Sequence, residues 1–73
     1  MANANDTEMT ELAAAALERA EQEVARGYAL VAREFLGYYR SSVKRGGAQP
    51  TDGARRAEKV QSEIDRARRE ARA

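Results

Sequence analysis

Apolar side chains recur along most of this chain with a helical period. Stepping about 100° per residue from Tyr28 brings Leu17, Val24, Val31, Ala32, Phe35, Tyr38, Tyr39 and Val43 within about 80° of it. The opposite side carries Arg19, Arg26, Arg33 and Arg40, spaced by seven. An apolar face at i, i+3/i+4 and a wet face at i+7 describe a helix that packs on other helices at a shallow angle. No proline interrupts the segment, and Ala13–Ala16 are strong helix formers. The pattern predicts one long amphipathic helix over residues 7–45.

Residues 1–6 are polar and are expected to be disordered. Asp6 or Thr7 is placed to cap the first helix, and Gly46-Gly47 to stop it. The stretch 46–53, GGAQPTDG, is the loop signal of the chain. It follows a helix and lacks the GxxxxGK[ST] pattern, so it is not a phosphate-binding loop. Residues 54–73 form the second expected helix, capped by Thr51 or Asp52. Its seam of Ala57, Val60, Ile64, Ala67 and Ala71 is spaced 3, 4, 3 and 4. Gly27 and Gly37 interrupt the first helix, and Gly27 marks a close helix approach or a bend. The fold class read here is all-α: one domain, a two-helix antiparallel hairpin, completed into a helical bundle by dimerisation or a partner chain.

Composition sharpens the need for a partner. Of the 31 apolar residues, 16 are alanine. A 73-residue chain with so few bulky side chains gains roughly 3–5 kcal/mol from one core unless it is stapled. Cysteine and histidine are both absent, which excludes disulfides and the usual Cys/His metal sites. In the hairpin reading, the segment from Glu8 to Ala20 has no partner within the chain. A second copy or a larger protein is expected to cover it. The residues expected to bind that partner are Leu12, Ala16, Leu17, Ala20, Val24, Tyr28, Val31, Phe35 and Tyr39, and Leu17→Glu is expected to abolish association. The four aromatics fall within twelve residues and read as a core or interface cluster with hydroxyls at its edge.

The net charge of +1 hides an asymmetry. Residues 1–39 hold three Arg against seven acids, and residues 40–73 hold ten Lys/Arg against five acids. An antiparallel hairpin brings the two halves together. The alternative function is nucleic-acid binding by a small dimeric regulator through Arg55, Arg56, Lys59, Arg66, Arg68, Arg69 and Arg72. The interleaved Glu58, Glu63, Asp65 and Glu70 dilute that field. The longest apolar run, Leu12–Leu17, is far too short to span a bilayer, and the polar, acidic N-terminus does not resemble a secretory signal. A cytoplasmic protein is the expectation. Without His or Cys, and with Ser41, Ser42 and Ser62 lacking an activating partner at a suggestive spacing, neither catalysis nor a cofactor is expected. The sequence therefore reads as a non-enzymatic, regulatory, inhibitory or accessory module acting through the apolar face of its first helix.

Overall fold

The computed structural model describes residues 4–46, 49 and 51–72, with side chains described over 10–46, 49 and 51–71. The described residues form three α-helices and no strand: α1 (Ala4–Ala25), α2 (Ala29–Lys44) and α3 (Gly53–Arg72). The all-α class stands, but the expected single helix over 7–45 is two helices.

The break has a specific backbone cause. Gly27 stands at φ +88°, a left-handed conformation that L side chains rarely adopt. Its N–H donates to the carbonyl of Val24 (3.1 Å), and the Tyr28 N–H donates to the carbonyl of Glu23 (2.9 Å). This pair of bonds is the Schellman arrangement, which satisfies two carbonyls left open at a helix end. Tyr28, at φ −96° and ψ 70°, then starts α2 by accepting the Ala32 N–H at 2.9 Å. The bend expected at Gly27 is thus a full chain reversal.

The N-terminal boundary also differs. α1 already runs at Ala4, so Asp6 and Thr7 lie inside the helix rather than at its cap. The expectation of disorder for residues 1–3 lies outside the described residues. At the far end, α2 stops at Lys44, and Gly46 at φ +118° donates its N–H to Val43. Gly47, Ala48 and Pro50 lie outside the described residues. Asp52, at φ +62°, accepts the Arg56 N–H at 2.9 Å and so opens α3. Its carboxylate pairs with Arg55 at 3.1 Å.

Cross-helix neighbours set the topology. Leu12 shares a groove with Ser42 and Arg45, while Arg19 lies over Phe35, so α1 and α2 are antiparallel. Glu21 pairs with Arg56, and Val24 borders Ala67, so α3 runs parallel to α1. Arg40 donates to Gln61 at 3.0 Å while Leu30 borders Ala67 and Ala71, so α3 runs antiparallel to α2. The result is an up-down-up three-helix bundle measuring 51 × 18 × 16 Å. Its radius of gyration, 13.0 Å, exceeds the about 11 Å of a compact chain of this length, which fits a slender rod.

The core is a meeting of three narrow seams. α1 contributes Ala13, Leu17 and Ala20, with Ala16 at the edge; α2 contributes Ala32, Leu36 and Tyr39; α3 contributes Ala57, Val60 and Ile64. Val24, Phe35 and Val43 pack against this cluster. Each seam alternates steps of three and four, the spacing of helices that pack nearly parallel. Leu17, Leu36, Val60 and Ile64 are the largest fully buried side chains. Each contributes about 1.5–3 kcal/mol of gross burial. Among the described residues, five of the ten in the core are alanine, so the helices lie close but little apolar mass separates them.

Candidate protein-docking groove between α1 and α2

The first half of α1, expected to lack any partner inside the chain, packs against α2 instead. Leu17 and Ala20 are fully buried in the chain's own core, and so is Tyr39 almost entirely. Val24 is half-buried against the same core. These four expected partner-binding residues already have neighbours within the bundle. The physical reason is the turn at Gly27, which supplies α1 with a neighbour that a continuous helix would not have.

Other expected residues do reach the surface. Leu12 is 51% exposed, and Ala16 and Phe35 stand beside it in an open groove of about 830 Å³ between α1 and α2. Ala15 and Tyr38 complete its apolar lining, and Tyr38 is 59% exposed. Glu18, Arg19, Gln22, Ser41, Ser42 and Arg45 form the polar rim. Tyr28 and Val31 lie apart from this groove. They are exposed at the chain reversal, where with Leu30 they border Ala67 and Ala71 of α3 in a second recess of about 630 Å³.

The groove wall is held by a chain of contacts that starts at a buried charge. Glu23 is only 4% exposed, and its Oε1 accepts bonds from Arg19 Nε at 3.0 Å and from Arg26 NH1 at 3.4 Å. Both guanidinium groups remain largely in water. Such a buried carboxylate is tolerated because its charge is paired and hydrogen-bonded. Arg19, held by Glu23, lies 5.5 Å from the centre of the Phe35 ring, within cation–π range. Phe35 in turn meets Tyr38 edge-on, with ring centres 5.8 Å apart and planes at 81°. The aromatic pair is therefore oriented from below by an ion pair.

Ala15 and Tyr38 were missing from the set read from sequence. The signal for them is a second seam on the outer side of each helix: Leu12, Ala15, Arg19 and Gln22 on α1, and Val31, Phe35, Tyr38, Ser42 and Arg45 on α2. Both alternate steps of three and four, like the core seams. One expectation for the aromatics also changes: the Tyr39 hydroxyl does not reach an edge. It is buried and has no hydrogen-bond partner among the described residues.

The basic residues of α3 divide into two groups. Arg56 is half-buried and grips Glu21, while Arg55 pairs with Asp52 and Arg66 with Glu70 at 3.2 Å. Lys59, Arg68 and Arg69 are exposed, and the Arg72 side chain lies outside the described residues. The guanidinium of Arg56 holds the Glu21 carboxyl below the usual carboxylate range through its hydrogen bonds, and the charge of Lys59 adds to this. Among the described residues there is no group of acidic side chains placed to hold a metal ion, and no helix is long and apolar enough to cross a membrane. No protein-family model, no curated protein and no solved structure matches this chain.

Proposed function

We propose that this chain is a small, non-enzymatic protein–protein interaction module that works through the α1/α2 groove. Its biochemical role is that of a regulator, inhibitor or accessory subunit. The carrying observation is the exposure of Leu12 and Tyr38 on helical walls around Ala15 and Ala16. Bulky apolar side chains beside small ones, rimmed by mixed charge, suit a partner's helix laid into the groove. The aromatic anchor Tyr38 packs edge-on against Phe35, which itself lies under Arg19, so docking requires little new ordering of the side chain.

The test is photo-crosslinking in the native host with p-benzoylphenylalanine in place of Tyr38. The control replaces Ser62, an exposed residue on the opposite outer face of α3. Crosslinks to protein from position 38 and not from position 62 support the reading. Equal crosslinking from both positions, or none from position 38, overturns it.

A second reading rests on the outer face of α3, where Arg55, Lys59, Arg66 and Arg69 form one row at i, i+4, i+11 and i+14. That row suits a phosphate backbone. It is the weaker reading, because Asp52 and Glu70 already engage two of its four cations. Binding of a mixed-sequence duplex that weakens steeply with salt, and is lost on replacing Lys59, Arg66 and Arg69 by Gln, would favour it.

A further inference from the structure

We infer that the occupant of the α1/α2 groove is the same groove on a second copy of this chain. This rests on the interaction reading above and commits it to self-association. The argument is one of register and charge. α1 ends at Ala25 and α2 starts at Ala29, and Arg19 lies over Phe35 in the same antiparallel register, so Ala15 on α1 is about level with Tyr39 on α2. Consider a twofold axis lying across both helices at that level. It sets α1 on α1 of the partner subunit and α2 on α2 of the partner subunit, each pair antiparallel.

Under that operation two pairs of exposed opposite charges come near each other. Glu11 faces Arg19 of the partner subunit. Glu34 comes within about one residue's rise, ~1.5 Å, of the level of Arg45 of the partner subunit. The symmetry repeats both pairs. One axis therefore brings opposite charges near each other on both α1 and α2, to within about one residue's rise. The apolar residues agree with it. Leu12, at one end of the groove, comes within about one residue's rise, ~1.5 Å, of the level of Phe35 of the partner subunit at the other end. Ala15 lies at the axis, where its single methyl group lets the two α1 helices approach closely. The dimer is then a four-helix bundle of α1, α2 and their symmetry mates, with the two α3 helices on the outside.

Glu34 and Arg45 are exposed, and neither forms an ion pair within the chain among the described residues. They can therefore be exchanged without disturbing the bundle. Sedimentation equilibrium of the full chain over a concentration series is expected to show a monomer–dimer equilibrium. Glu34→Arg and Arg45→Glu are each expected to weaken it by about tenfold, since each places like charges at two symmetric contacts. The double variant restores the pairs with reversed sign and is expected to recover wild-type association. A wild-type chain that stays monomeric, single variants without effect, or a double variant that fails to recover would each overturn the inference.

The absence of native cysteine provides an independent measurement. Ala15→Cys is expected to form an intermolecular disulfide on mild oxidation, and Ser62→Cys is not; equal yields would overturn the arrangement. A monomer whose position 38 crosslinks to a different protein sinks this inference and leaves the interaction reading intact. A monomer with no such crosslink sinks both.

Discussion

The guanidinium of Arg56 on α3 grips both carboxylate oxygens of Glu21 on α1, with Nε donating to Oε2 at 3.0 Å and NH2 to Oε1. It is the cross-helix ion pair among the described residues; the other ion pairs join residues three or four apart. The pair ties the start of α3 to the middle of α1 and so fixes how far α3 slides along the bundle. Both side chains are about a third exposed, which holds its contribution to about 1 kcal/mol. For a domain of this size that corresponds to a Tm loss of about 4–8 °C for Glu21→Gln at neutral pH.

The same pair gives stability a pH dependence of known sign. Arg56 lowers the Glu21 pKa in the folded chain, so folding favours the ionised carboxylate. The contribution is complete above the ordinary glutamate value of about 4.3 and is lost as pH falls through the lowered folded value. Thermal melts followed by circular dichroism are expected to separate wild type from Glu21→Gln at pH 6. The two curves are expected to converge in strong acid. A constant gap across that range would show that the ion pair is not the source.

Core and groove substitutions are expected to separate folding from association. Leu17→Ala empties a fully buried site and is expected to cost about 2–5 kcal/mol, most of what so small a core supplies. Leu17→Glu, expected from the sequence to abolish association, is now expected to unfold the chain. Leu12→Glu and Tyr38→Glu alter exposed groove residues, so they are expected to keep full helicity and lose association. Circular dichroism and sedimentation on the same samples distinguish the two outcomes.

The two helix-interrupting glycines are expected to respond in opposite directions to alanine. An added methyl at either position meets no atom within 4 Å, so packing does not decide the sign; the backbone does. At Gly27, with φ +88°, alanine is strained and is expected to cost about 1 kcal/mol. Gly37 sits inside α2, where alanine is expected to add about 0.5–1 kcal/mol. Urea denaturation of the two variants tests both signs.

Tyr39→Phe is a further case in which removing a group is expected to help. The ring stays in the core, and the variant deletes a buried hydroxyl that has no partner among the described residues. An unsatisfied buried group of this kind costs about 1–3 kcal/mol. A Tm at or above wild type is expected, and a fall of several degrees would reveal a partner for the oxygen.

What the sequence made legible was the helical period and much of the α3 seam. Ala57, Val60 and Ile64 are buried as their spacing requires, while Ala71 at the helix end is exposed. What it concealed was the reversal at Gly27. A helical wheel drawn through residue 27 carries one phase across a turn that resets it, so Tyr28, the centre of that wheel, is 57% exposed. Leu36, one of the largest core residues, stood at the very edge of the predicted face, about 80° from its centre. The stop logic applied to Gly46 held equally at Gly27. Strong helix formers flank it on both sides, and a single glycine costs a helix only about 1 kcal/mol, so a break and a continuous helix look alike in sequence. The groove was hidden in turn, because locating an outer face requires knowing which face is inside.

The Gly27 turn also has a kinetic consequence. It joins two helices through three residues, so the contacts between them begin at very short sequence separation. Closing that loop sacrifices little chain entropy. Low relative contact order places helical bundles in the microsecond-to-millisecond range of folding times. The α1–turn–α2 hairpin is then the natural nucleus, with α3 docking onto a surface already formed. In that order of events Gly27→Ala slows folding, whereas a change at the Glu21–Arg56 clasp chiefly speeds unfolding.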